Sequence, residues 1–191
     1  FGGRLETKIR KILGFHKKKK KKKKGGGIIS LTDIKIGEYY FKSYINLTPD
    51  ESKLVLFHRN LNKKWMIHKD EISLDEHLKW IESLKTNSSR LDYLVYKDDK
   101  PFIVVNYQDI NEDEAYWGYF LIDQAYKSEV LKIEKIIIDF AFEKLNLKKL
   151  LCINDINNHV IKIHKFFGFK ELERKFINNQ EYLVMCLEKE I

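Results

Sequence analysis

Few side chains in this sequence can move a proton near neutral pH. The chain has six histidines, and His164 has the most ordered surroundings. It lies in the run Asn157-Asn158-His159-Val160-Ile161-Lys162-Ile163-His164-Lys165-Phe166-Phe167-Gly168-Phe169. An imidazole with an ordinary pKa near 6.5 carries a transferable proton at physiological pH. The same placement also fits a half-buried histidine on an amphipathic helix. His77, one turn before Trp80, reads as a packed or solvent-facing ring or as a binding group, and His58 and His68 carry a weaker signal. Glu114 and Tyr116 are the candidate bases. Arg59 offers a planar fork of donors to an anion, or a surface ion pair. Trp65 offers a face for stacking, or a core aromatic. Cys152 and Cys186 each stand inside an apolar run, without a CxxC pair or a Cys/His spacing suited to zinc, and read as buried thiols. No metal site is expected.

Charge narrows the partners. The net charge of +8 comes from 36 basic and 28 acidic side chains. Residues 1–24 hold 12 of the bases and only Glu6 among the acids, which leaves 24 bases against 27 acids in the remainder. The basicity is therefore an appendage, and residues 28–191 intersperse both signs rather than presenting the basic face of a nucleic-acid binder. No specific nucleic-acid partner is expected. Residues 1–30 contain Lys17 to Lys24 and then Gly25-Gly26-Gly27. They read as a fusion or vector remnant, or as a short basic amphipathic helix built on Leu5, Ile9, Ile12 and Leu13. No apolar stretch approaches the roughly 18 residues of a membrane span and no secretory signal is visible, so a cytoplasmic location is the expectation.

The elements that must position these residues follow from periodicity. With 191 residues, 43% of them hydrophobic, the chain can build one domain with a substantial core, placed at 31–191. Ile34 to Phe41 predicts a strand, Pro49 to Asn60 a helix, and Leu74 to Leu84 a second helix whose Ser73 and Glu76 form a capping box. Leu91–Tyr96, Phe102–Tyr107 and Tyr116–Ile122 predict an antiparallel meander with a turn at Lys97 to Pro101. A helix over Lys127–Leu145 presents Val130, Ile133, Ile137, Phe140, Ala141 and Leu145 on one face. A strand at Leu150–Ile153, a helix at Ile156–Phe167 ended by Gly168, and a hairpin around Asn178-Asn179-Gln180 complete the order β-α-α-β-β-β-α-β-α-β-β.

That order, together with the run from Asn157 to Phe169, resembles the GNAT acetyltransferases and their signature Asn-x-x-Ala-x-x-x-Tyr-x-x-x-Gly-Phe. Within that superfamily the chain is similar to the N-acetyltransferases of the pseudaminic acid pathway. The matching stretches are Phe57-His58-Arg59-Asn60, Trp65-Met66, Ile72 to Ile81 with its Glu76-His77-Leu78 centre, Tyr93-Leu94-Val95-Tyr96, Gly118-Tyr119-Phe120, and Phe140-Ala141-Phe142-Glu143. The resemblance implies an α/β (α+β) fold with a mixed, mostly antiparallel sheet of about seven strands and about four helices. It implies transfer of an acetyl group from acetyl-CoA to the 4-amino group of a UDP-linked amino-dideoxy sugar, as used in flagellin glycosylation. A homodimer is a compatible assembly. The alternatives are acetylation of a protein N-terminus or another small amine, and a non-catalytic CoA-binding module.

Residue by residue, the resemblance assigns the pantetheine arm to Tyr119, Phe120, Leu121 and Ile122, where a strand can pair with amides. The pyrophosphate falls to the loop with Lys127 and Ser128, and Asn157 faces the cofactor. His164 replaces the tyrosine that protonates the departing thiolate, with Glu114 and Tyr116 near the attacking amine. Arg59, Asn60, Trp65 and His77 are assigned to the acceptor. The loop departs from the family pattern: Ala125-Tyr126-Lys127-Ser128-Glu129-Val130 lacks the glycines that let backbone approach phosphate, and Glu129 brings an unfavourable charge.

Overall fold

The computed structural model describes residues 32–190, so the basic segment read as a tail lies outside the described residues. The described residues form one eight-stranded sheet in the order β1-β2-β3-β4-β5-β6-β8-β7. Its strands are β1 (Ile34–Ile36), β2 (Tyr39–Ser43), β3 (Arg90–Lys97), β4 (Lys100–Gln108), β5 (Glu114–Leu121), β6 (Lys149–Asp155), β7 (Lys170–Ile177) and β8 (Gln180–Glu188). Four α-helices accompany it: α1 (Pro49–Leu61), α2 (Leu74–Leu84), α3 (Val130–Asp139) and α4 (Val160–Phe166). No helix among the described residues is long and apolar enough to cross a membrane.

The sheet has eight strands rather than seven because the first predicted strand folds back on itself. A turn at Gly37-Glu38 separates β1 from β2, which pair antiparallel from Ile36↔Tyr39 to Ile34↔Phe41. The turn between β3 and β4 is also tighter than predicted. Asp98 and Asp99 both adopt positive φ, the geometry of a two-residue hairpin, so β4 begins at Lys100 and takes Pro101 opposite a bulge at Val95/Tyr96. Asn178 and Asn179 close β7–β8 in the same way.

Both faces of the sheet are covered. On one face Trp117, Leu150, Cys152 and Met185 pack under Val130, Ile133, Ile137 and Ala141, with Ile161, Ile163 and Phe167 beside them. On the other, Leu94 and Val104 pack under Val55 of α1 and Leu84 of α2. Both helix starts carry full capping boxes, at Thr48/Glu51 and Ser73/Glu76, which satisfy otherwise orphaned amides. The long third helix begins later than the pattern indicated. Gln124–Glu129 forms a 3-10 turn capped by Asp123, α3 follows, and a π-helical turn at Phe140–Lys144 leads to Asn146 at φ +53°. Likewise α4 starts at Val160, because Asp155 and Asn158 side chains hold the preceding backbone in a turn.

Gly168 stops α4 at φ +90°, a conformation that strains any residue with a Cβ, although an added Cβ would only touch Leu187 Cδ1 at 3.5 Å. Gly168→Ala is therefore expected to destabilise the protein through backbone strain by about 1–2 kcal/mol, read as a lower urea midpoint with an unchanged m-value.

Candidate active site

Strands β5 and β6 are the one parallel pair among the described residues, and they stay together only briefly. Glu114↔Lys149, Ala115↔Leu150 and Tyr116↔Leu151 are in register, and then the pairing ends. Beyond that point β5 remains bonded to β4 as far as Leu121↔Ile103, and β6 remains bonded to β8 as far as Asp155↔Tyr182. The strands thus diverge into a wedge, with Trp117–Leu121 along one wall and Cys152–Asp155 along the other. Among the described residues each wall presents an edge with no cross-strand partner, the arrangement that accepts an extended amide chain as an added strand.

The predicted cofactor residues distribute around this wedge. Tyr119, Phe120 and Leu121 lie on the open wall of β5 and are half-buried. Ile122 lies just past the strand, where its N–H donates to Phe102 O at 2.8 Å, so its backbone donor is turned to β4 and away from the wedge. Asn157 is exposed in the turn at the open end of β6. Lys127 and Ser128 are exposed on the 3-10 turn that follows β5. Asp123 Oδ1 already accepts from the Ala125 N–H at 2.9 Å, so that amide is committed to the turn.

Glu129, an expected obstacle to an anion, is directed elsewhere. It accepts from Tyr39 Oη and pairs with Lys97 Nζ at 2.9 Å and Lys132 Nζ at 3.4 Å. The Tyr39 hydroxyl and Lys97 hold its carboxyl down at about 2. Its charge is neutralised within the protein at the edge of β2 and β3.

His164 lies beneath the wedge rather than on the surface, only 2% exposed. Its ring centroid is 5.1 Å from that of Trp117 and 6.3 Å from that of Tyr119, both on the diverged part of β5, and 5.5 Å from Phe169. Its Nδ1 lies 2.7 Å from Glu134 Oε1. Sequence reading missed Glu134. The available signal was an acid in the middle of the α3 stripe Val130-Ile133-Ile137, where periodicity calls for an apolar side chain.

The candidate bases sit at the closed end of the wedge. Tyr116 is the last paired residue of β5, packed with Leu151 and Val184, and burial beside Glu114 pushes its hydroxyl up to about 12. It remains a protonated phenol at neutral pH, a hydrogen-bond donor rather than a base. Glu114 opens the strand opposite Lys149 at the far side of the paired segment, so the structure does not bring it to the diverging edges.

The predicted acceptor residues separate into three settings. Arg59 is half-buried and directs its guanidinium to carbonyls, with Nη1 at 2.6 Å from Asp70 O and Nη2 at 2.7 Å from His68 O. Asn60 exchanges two hydrogen bonds with the Ile72 backbone, at 2.9 and 3.1 Å. Together they pin the segment 62–72 to α1. Trp65 is half-buried on that segment, with Lys64 Nζ 4.8 Å above its ring. His77 instead is a core residue. It is 4% exposed, 5.9 Å from Trp80 ring to ring, and hydrogen-bonded to the Ser52 backbone.

No family model matches the chain. The sequence is 25% identical over 158 residues to the acetyltransferase PseH of Campylobacter jejuni, covering 78% of this chain and 92% of that protein. The fold superimposes on C. jejuni N-acetyltransferase PseH in complex with acetyl coenzyme A with a TM-score of 0.66 at 20% identity, over 80% of this chain and 99% of that one. The chain is a GNAT-fold relative of PseH. Vibrio cholerae spermidine N-acetyltransferase in complex with CoA and spermine is similar in fold at 16% identity, with a TM-score of 0.70 over 80% of this chain and 96% of that one. The resemblance of the chain to the GNAT acetyltransferases is borne out, by sequence and by fold. No group of His, Cys, Asp and Glu that could hold a metal occurs among the described residues.

Burial holds the His77 ring pKa down at about 4 while an unfolded histidine titrates near 6.5. Folded His77 is neutral and unfolding lets it take a proton, so its contribution to stability is intact above pH 6.5 and is lost as pH falls toward 4. His77→Leu is expected to flatten the pH dependence of the urea midpoint in that window by one proton, about 1.4 kcal/mol per pH unit. An unchanged slope would mean that His77 does not stay neutral in the folded protein.

Proposed function

We propose that the chain transfers an acetyl group from acetyl-CoA to the amine of a nucleotide-linked amino sugar, the 4-amino group of a UDP-amino-dideoxy sugar. The observation that carries the acyl-donor half is the wedge between β5 and β6. Pantetheine is a chain of amides, and the edge from Trp117 to Leu121 offers it backbone donors and acceptors over the length where β6 has turned away. The exposed Lys127 and Ser128 would meet the pyrophosphate as point charge and hydroxyl, in place of the glycine-rich backbone cradle.

Gly118 supports the same reading. Its φ is not positive, and an added Cβ would meet nothing nearer than Asn106 Nδ2 at 3.9 Å. Neither backbone geometry nor packing within the protein requires glycine there, and a glycine inside a strand commonly marks the close approach of a ligand.

The acceptor half rests on charge and aromaticity. From His58 to Ile72 the chain carries Arg59, Lys63, Lys64 and Lys69 against Asp70 and Glu71, with Trp65 among them and Lys63 paired to Glu71 at 3.2 Å. A polyamine acceptor, as bound by the V. cholerae neighbour, calls for carboxylates. A diphosphate linked to a base and a sugar calls for lysines beside a stacking ring. Arg59 and Asn60 serve this acceptor by fixing the segment that presents Trp65 and the lysines.

The residues then divide the work. The wedge holds the thioester carbonyl against the incoming amine, and positioning supplies much of the rate because no covalent intermediate with the protein is needed. An amine with a pKa near 8 is already partly neutral at pH 7, so a water can take its proton. The Tyr116 phenol at the wedge apex can donate a hydrogen bond to the developing oxyanion. His164 supplies the proton for the departing sulfur.

Thiol release from acetyl-CoA, followed with a panel of UDP-amino sugars, spermidine and a peptide N-terminus, tests both halves. Turnover is expected with the UDP-amino sugars, and preferential turnover of spermidine would overturn the acceptor. Gly118→Val is expected to fold with nearly wild-type stability and to lose acetyl-CoA binding by calorimetry at least tenfold, a loss equal to about 1.4 kcal/mol.

A further inference from the structure

Glu134 has no place in an apolar stripe unless another group answers its charge. It is fully buried on the face of α3 that also carries Val130, Ile133, Ile137 and Ile138. Burial raises its pKa, and the hydrogen bond from His164 acts against that rise. Its Oε1 has a partner in His164 Nδ1 at 2.7 Å, whereas Oε2 is sealed with no partner. A buried ionisable pair with an unmet acceptor is a poor device for stability, since apolar side chains of similar volume commonly do as well or better. A second reason for the pair is needed.

That reason lies in which imidazole nitrogen is left over. His164 Nε2 makes no hydrogen bond among the described residues, and it is absent from the sealed unpartnered atoms that include Glu134 Oε2 and Trp117 Nε1. The ring itself abuts Trp117 and Tyr119, the two residues of the diverged β5 wall on this face of the sheet. We infer that Glu134 is a positioning residue for His164: its carboxylate holds Nδ1–H, fixes the tautomer, and leaves Nε2 as the proton-donating atom at the wedge. The inference rests on the proposed function, and it assigns a role to a residue that the proposed function does not need for binding.

The other titratable groups around the pair do not supply the charge. Tyr119 from β5 and Cys152 from β6 lie close to Glu134, and burial pushes both up, so each stays protonated. Lys165, next along α4, is directed to Glu171 at 2.7 Å, and Phe169, the residue before β7, contributes only a ring. In the reaction the amine nitrogen bonds to the thioester carbon and the C–S bond breaks. The sulfur takes the Nε2 proton, and the proton lost by nitrogen passes to water. The imidazole left behind is neutral, still donates Nδ1–H to Glu134, and regains its proton from solvent. The Glu134 carboxylate faces Nδ1 at 2.7 Å throughout, so the ring stays oriented while Nε2 gives up and regains its proton.

Glu134→Gln keeps the shape of the side chain and removes its charge. In the full chain, kcat is expected to fall about tenfold or more, the range by which a misplaced or mistuned acid costs. The acetyl-CoA KM should change less than about twofold. Glu134→Asp, which keeps the charge, should recover most of the lost kcat. A Glu134→Gln kcat equal to that of the wild type, or a change confined to Tm, would overturn the assignment. Proton–nitrogen spectra of the ligand-free protein read the pair without turnover. The wild type should show an exchange-protected Nδ1–H of His164, displaced in Glu134→Gln, whereas a ring that lacks the Nδ1 proton would contradict the inference. If the wild type turns over no acceptor, the proposed function fails, and the spectra still decide the pair.

Discussion

The site depends on a parallel pair that stops. Backbone amides and carbonyls inside a protein need partners, and a sheet ordinarily supplies them along its whole length. Here β5 and β6 supply each other only from Glu114 to Tyr116 and from Lys149 to Leu151. Each strand is held apart by a partner on its other side, β4 for one and β8 for the other, so the gap cannot close without tearing an antiparallel ladder. The cleft is therefore a property of the topology, and it puts unpaired backbone at a fixed place next to the 3-10 turn after β5 and the start of α4.

Much of this was legible from periodicity. The run Ser73 to Leu84 gave its helix to the residue because the capping box marks the start, and β3, β4 and β5 fell within two residues of their predicted limits because apolar alternation is strong there. Positions set by φ or by side-chain caps were less legible. The fold-back at Gly37, the two-residue turn at Asp98-Asp99 and the delayed start of α4 behind Asp155 and Asn158 depend on local hydrogen bonds that alternation does not register.

The site was legible in type and less so in partnership. Asn157, His164 and the β5 segment were singled out because a resemblance placed them. What each side chain touches depends on contacts across long separations in the chain. His164 meets Glu134 thirty residues away, and Glu129 meets Tyr39 ninety residues away. Those two pairings changed the chemical reading. An acid feared near a pyrophosphate is neutralised by Tyr39, Lys97 and Lys132, and an imidazole read alone has a carboxylate behind it. Arg59 and His77 moved the other way, into loop fixation and the core, because carbonyls and packing in the fold claim groups that a sequence presents as available.

The central claim is that the diverged edges of β5 and β6 take up an extended thioester ligand. Amide hydrogen exchange with and without acetyl-CoA tests it most directly. Protection should appear at Trp117–Leu121 and spread to the 3-10 turn at Gln124–Glu129. Acetyl-CoA binding that leaves those amides exchanging as in the free protein, or protects another face of the sheet, would contradict it.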